Sequence, residues 1–322
     1  MKTFTATIRD TLAAELRRDP NVFLIGEDIG AYGGAFGVTR GLISEFGPNR
    51  IRDTPISEQA LIGTAIGAAA AGLRPVAEIM FMDFITLAVD QLTNLAAKLH
   101  YIYKLPCPIV VRTPAGGGRG YGATHSQTLE RLFTGTPGLH IAAPSTAADA
   151  SALLQSAIRG ATPVIFIEHK LLYPLRWEIG LTLPPPLPFG HANITHSGNN
   201  VTVVAWSYMA HLALTAANQL AAEGIGVEVV DLRTLAPLDE ETITAAVRKT
   251  GRLLIVEEGP KTGGFAGEIA ARIFETSYDY LEAPLRRLAG PDTPVPASRT
   301  LEAACIPTVE TIANAIRELA SL

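Results

Sequence analysis

The chain has 322 residues, a formal net charge of −5 and an isoelectric point near 5.8. That length exceeds what most single cores accommodate and points to two domains. The acidic balance argues against a nucleic acid or an anionic membrane as the principal partner.

The first predicted element is an amphipathic helix over residues 5–18. Arg9 and Asp10 stand where a signal peptide needs its apolar core, so export is not expected. "NVFLIGEDIG" reads as a buried strand that breaks at Gly26 into an acidic turn, Glu27 and Asp28. "LRPVAEIMF", "CPIVVRT" and "PVIFIEH" read as further buried strands, and "DFITLAVDQLTNLAAKLHYIY" as one long helix. Short continuous apolar strands alternating with helices imply a parallel sheet covered on both faces.

Pro184, Pro185, Pro186 and Pro188 then interrupt the pattern, and residues 179–200 read as a proline-rich linker. Beyond it "VTVVAW", "VEVVDLRT" and "RLLIVEEG" are strands separated by the helical stretches "AHLALTAANQLAAEG" and "DEETITAAVRKTG". The expected fold class is therefore α/β with two domains, 1–178 with a largely parallel sheet and a smaller 201–322. No uncharged run reaches the roughly 18 apolar residues of a membrane span. Cys107 and Cys305 lie far apart and fit no metal-ligand spacing, which favours a reducing, cytoplasmic setting.

Three places carry candidate chemistry. Glu58 opens an apolar run rich in Gly and Ala; as bare physics it complements a helix dipole with Ser57 as cap. Yet Gly63, Gly67 and Gly72 allow another backbone or a flat ligand to come close, and a carboxylate in such dry company should have a raised proton affinity. "RTPAGGGRGYGATHSQ" joins a strand end to a glycine-rich loop and an expected helix bearing His125. It lacks the Gly-Lys-Ser/Thr ending of a P-loop. Gly118, Gly120 and Ala123 match a dinucleotide fingerprint loosely, without the acid that fingerprint requires. The remaining reading is a mobile loop that presents His125 as an acid, a base or a hydrogen-bond donor. The Glu27–Asp28 pair stands beyond a strand's carboxyl end, open to a metal, a hydrogen-bonding relay or plain solvation.

Taken in order, "FLIGEDIG", "RIRDTPISEQALIGTAIGAAAAGLRPVAEIMFMDF", "VRTPAGGGRGYGATHSQ" and "PVIFIEHKLLY" resemble the beta subunits of thiamin-diphosphate-dependent 2-oxoacid dehydrogenases, a transketolase-like family. "GRLLIVEEG" and "DTPVPASRTLEAACIPTVETI" extend the resemblance over nearly the whole chain. It implies that Glu58 contacts the aminopyrimidine ring nitrogen of thiamin diphosphate and favours the imino tautomer that deprotonates the thiazolium carbon. Phe84 and Ile56 would pack around the pyrimidine, Glu27 would belong to an acidic network behind it, and His125 would act near the substrate in acyl transfer to a lipoyl arm. A potassium ion on the carbonyls of Ile109, Ala157, Ile158, Gly160 and Thr162 is also implied. Here, however, "AIRGATP" replaces the family's acidic and amide residues.

The chain contains no Gly-Asp-Gly motif, and its Asn199–Asn200 pair stands without one. By resemblance, magnesium and the diphosphate fall to an alpha subunit carrying that motif, in a two-alpha, two-beta tetramer that docks on a lipoyl acyltransferase core. The implied reaction is oxidative decarboxylation of pyruvate, with acetoin or a branched-chain 2-oxoacid as the alternative substrate. From another class, an NAD-binding Rossmann-type protein remains the competing reading.

Overall fold

The computed structural model describes residues 1–180 and 182–322, leaving Leu181 of the proline-rich stretch outside the described residues. The chain forms two compact units, one of residues 1–115 and 132–189 and one of residues 116–131 and 190–322.

The first unit opens with α1 (Phe4–Arg18), whose Thr3 side chain accepts from the Ala6 amide as an N-cap. It continues through β1 (Val22–Gly26), β2 (Ile51–Asp53), α2 (Glu58–Ala70) and β3 (Arg74–Glu78). After α3 (Ala97–Tyr103) come β4 (Val110–Ala115), β5 (His140–Ala142), α4 (Ala147–Arg159) and β6 (Val164–His169). These strands lie in the order β5-β6-β4-β3-β1-β2 and every adjacent pair is parallel. β1, β4 and β6 are buried along their whole lengths, which is why they read as largely apolar stretches with their few charged residues, Arg112 and Glu168, buried among them.

The expected long helix over residues 83–103 is three pieces, a 3₁₀ segment Met82–Ala88, a π segment Gln91–Ala96 and α3. Ile85, Ala88, Leu92, Ala96 and Leu99 form its buried stripe, at the three-and-four spacing of an ordinary helix.

The second unit contains β7 (Asn193–His196), β8 (Val201–Ala205), α5 (Ser207–Ala221), β9 (Val227–Asp231) and α6 (Glu240–Thr250). β10 (Leu253–Pro260), α7 (Phe265–Ser277), β11 (Arg286–Gly290), α8 (Arg299–Cys305) and α9 (Val309–Ala320) complete it. Its sheet runs β11-β10-β8-β9-β7, parallel except for β7, which pairs antiparallel with β9 at the edge. α6 carries both of its boundary signals: Asp239 accepts from the Thr242 amide, and Gly251 turns left-handed beyond the last residue. α5 and α9 pack over one face of this sheet, sealing Val203, Val229, Ala213, Leu220, Ile312 and Ile316.

Candidate functional site

In the first sheet the chain leaves β1 for β2 on one side and returns to β3 on the other, so the loops at the carboxyl ends of β1 and β3 diverge. Such switch points are where open α/β sheets place ligands. Glu27 is the first residue beyond β1, Glu58 begins α2 after β2, and Phe84 follows β3. Three separate crossings thus deliver them to the same end of the sheet.

Glu27 and Glu58 are both buried, at 6% and 5% exposure. The Glu27 carboxyl is held above its ordinary pKa, first by burial and then by the charge of Glu58, against the pull of the Ser57 backbone amide. Its Oε1 is a buried oxygen with no hydrogen-bond partner. The sequence placed the raised proton affinity on Glu58; the structure places a rise on Glu27, with Glu58 as one of its causes. Asp28, by contrast, is exposed and left-handed at φ 54°, so the acidic pair divides into a buried member and a solvated one. Ser57 makes no side-chain cap, and the acid at the start of α2 is Glu58 itself.

The glycines of α2 leave open surface. A Cβ at Gly67 would meet nothing within 4 Å, and one at Gly63 only the Gln91 side chain at 3.9 Å. Among the described residues, then, nothing in this chain uses the close approach they permit. Ile56, one step before Ser57, is 83% exposed. Phe84 is half-buried and meets Phe81 edge-on at 5.9 Å; Phe81 in turn meets Phe36 at 5.5 Å and lies 5.2 Å from the buried Lys170 Nζ.

Behind these residues lies a buried ionic network that the sequence reading missed. Arg112 of β4 donates to both oxygens of Glu168 at 2.7 and 2.8 Å and to Glu78 at 2.6 Å, while the Tyr173 hydroxyl donates to Glu168 at 2.8 Å. The two carboxylates hold the guanidinium firmly ionised, and burial above all pushes Glu78 up despite Arg112. The signal was present: a single charged residue closing an apolar run in each strand, in "VAE", "VVR" and "FIE", with Arg112 mid-strand and the strands adjacent in the sheet.

His125 belongs to the second unit. No helix carries it; residues 121–129 are turn, bend and irregular chain, and its Nδ1 lies 3.0 Å from the Thr124 hydroxyl. Nor is the glycine loop held loosely. The Gly117 amide donates to Glu258 and the Gly120 amide to Glu302, each at 2.6 Å, and the Gly116 amide donates to the Gln127 carbonyl. Amides that a dinucleotide phosphate would need already serve carboxylates, and no helix N-terminus follows them, so the geometry argues against the Rossmann reading. The carbonyl-bearing residues of the implied potassium site gather at the end of α4 and the approach to β4. Cys107 is buried and its thiol is pushed up to about 12, which leaves it inert.

Two parallel-sheeted α/β units with a buried acid pair at a switch point define a transketolase-like protein. Residues 1–176 match the transketolase pyrimidine binding domain and residues 190–312 the transketolase C-terminal domain. The pyruvate dehydrogenase E1 component subunit beta of Rickettsia bellii is 42% identical over 98% of both chains. Subunit beta-1 of the Arabidopsis thaliana mitochondrial enzyme is 44% identical over 96% of this chain and 88% of its own. The beta subunit of the Cupriavidus necator acetoin:2,6-dichlorophenolindophenol oxidoreductase is 45% identical over 97% and 95%. A solved split-gene transketolase, described as an inactive beta4 tetramer, superposes with a TM-score of 0.81 at 22% identity over 98% and 97% of the two chains, a likeness of fold alone. The chain belongs to the thiamin-diphosphate-dependent family of dehydrogenase beta subunits typified by the pyruvate dehydrogenase E1 component.

Proposed function

We propose that this chain is the beta half of a pyruvate-decarboxylating dehydrogenase component, active only when joined by an alpha subunit. The observation that carries this reading is the buried pair Glu27 and Glu58 at the switch point, one oxygen of Glu27 lacking any hydrogen-bond partner, beside α2 glycines where, among the described residues, an added Cβ would meet at most the Gln91 side chain. A buried unpaired oxygen next to a second carboxyl suits a heteroaromatic ring whose nitrogens exchange protons.

Glu58 would hold a proton at the pyrimidine ring nitrogen, and Glu27 would keep the local proton count by sharing charge with it. Phe84 and Ile56 would orient the ring by contact and exclude water. Thiamin diphosphate, when bound, supplies the carbanion chemistry that releases carbon dioxide from a 2-oxoacid. His125 would place a hydrogen bond near the substrate during acyl transfer to a lipoyl group. Magnesium and the diphosphate are assigned to the Gly-Asp-Gly motif of the alpha subunit, within a two-alpha, two-beta tetramer docked on a lipoyl acyltransferase core.

We place the assembly in the cytoplasm; among the described residues no helix is long and apolar enough to cross a membrane. The near-equal identity of the Cupriavidus acetoin subunit makes acetoin the competing substrate.

The test is recovery of the tagged chain from its own cells, native mass spectrometry of what accompanies it, and turnover on pyruvate, acetoin and branched-chain 2-oxoacids. A second chain, bound thiamin diphosphate and preference for pyruvate are expected. In that assembly Glu58→Gln should lower turnover at least ~100-fold while the subunits remain associated. Near-normal turnover in the assembled variant would remove Glu58 from the mechanism.

A further inference from the structure

A potassium ion held by main-chain oxygens needs several carbonyls free to converge on it. At the end of α4 several of them already accept a hydrogen bond, and two of these bonds come from a positive charge. Arg74 Nη1 donates to the Ile158 carbonyl at 2.8 Å and to the Gly160 carbonyl at 2.7 Å. The Ile109 carbonyl accepts from the Val164 amide at 2.9 Å. Three of the five oxygens implied by the family thus each accept one hydrogen bond, two of them from a permanent cation, the guanidinium of Arg74.

The arrangement around Arg74 is fixed from the other side as well. Its Nε lies 3.5 Å from Asp19 Oδ2, and its backbone amide donates to the Asn21 carbonyl at 2.9 Å. The guanidinium therefore spans from the end of α1 to the end of α4. Helix C-termini leave carbonyls unsatisfied and carry partial negative charge, so a basic side chain there supplies both hydrogen bonds and charge. Gly160 and Thr162 meanwhile bring no carboxylate or amide to balance a second positive ion. A monovalent ion at these oxygens would face Arg74 across a single carbonyl, and like charges at that range repel.

We propose that Arg74 is the built-in cation of this site, and that the first unit is stabilised here by its guanidinium in place of a bound potassium ion. The inference concerns the fold of the first unit and holds whatever reaction the assembly performs.

The test uses the full chain with whatever polypeptides accompany it, melted in potassium, sodium and choline chloride at equal ionic strength. Melting temperatures should agree among the three salts; a saturable, potassium-specific rise of about 3 °C or more would overturn the proposal. Crystals soaked in rubidium chloride should show no anomalous peak at the Ile158 and Gly160 carbonyls, and a peak there would equally overturn it. Arg74→Met should lower the melting temperature in choline by about 3 °C or more, with Arg74→Lys recovering part of the loss. A variant as stable as the parent would show that the guanidinium does not hold the site. Should Arg74→Met fail to fold, the salt series and the rubidium soak on the unaltered chain decide the matter alone.

Discussion

Glu27 and Asp28 are adjacent in sequence and opposite in circumstance. One faces another buried carboxyl with an oxygen to spare; the other sits in solvent on a left-handed turn. Residue type alone left the pair open to three readings, because burial is decided by the direction in which β1 releases the chain. Glu58 was easier to single out, since a carboxylate beside so many small residues is conspicuous in the sequence itself. His125 was legible as a residue and not as a conformation: the glycines that made the loop look mobile instead let its backbone reach Glu258 and Glu302. For His125→Ala we expect lipoamide acylation to fall at least ~10-fold while decarboxylation with an artificial electron acceptor persists. Equal loss, or no loss, in the two assays would leave the histidine a structural role.

At the scale of elements, regular patterns were readable and mixed ones were not. α6 announced itself with an aspartate cap, a clean apolar stripe and a terminal glycine, and the buried strands β1, β4 and β6 by their short, largely apolar runs. The run 83–103 has the three-and-four apolar spacing of a helix, and that spacing carries no mark of the 3₁₀ and π turns inside it. β7 lay within the expected linker 179–200; an edge strand with one wet face offers only weak polar alternation, and the neighbouring prolines drew the eye. The ionic network joining β3, β4 and β6 depends on which strands are neighbours, which a single sequence does not state. Removing one member of a buried ion pair leaves its partners uncompensated, so Arg112→Met should cost about 3–5 kcal/mol. Urea titration of the first unit, followed through the fluorescence of Trp177, would read this as a lowered midpoint; an unmoved midpoint would mean the network adds nothing.

At the scale of the molecule, both units hold buried carboxyls above their ordinary range, Glu27 and Glu78 in the first and Glu257 in the second. In the second, Glu257 is buried with one oxygen unpartnered, and its carboxyl is raised from 4.5 to about 7, first by burial and further by the charge of Glu130. A folded state that holds a proton more tightly than the unfolded chain gains most at low pH and loses that advantage as pH rises. The second unit should therefore weaken between about pH 4.5 and 7. Glu257→Gln should flatten that dependence and raise stability at pH 8 by on the order of 3 kcal/mol. Trp206, whose indole donates to Glu130, reports this unit once Trp177 is replaced by phenylalanine. An unchanged pH profile in the variant would show that Glu257 is not the titrating group.

Ile56 and the short helical run before β4 carry a consequence for the life of the chain in the cell. Ile56, Leu87, Tyr101, Ile102 and Tyr103 of the first unit are all more than half exposed. Such side chains favour association when nothing covers them. On the proposed pairing with an alpha subunit, a chain released from the ribosome ahead of its partner would burden chaperones, and its steady supply would be set by whichever subunit is scarcer. Synthesis from neighbouring reading frames at matched rates is the economical arrangement, and production of the chain alone should yield aggregates that co-expression of the alpha subunit clears.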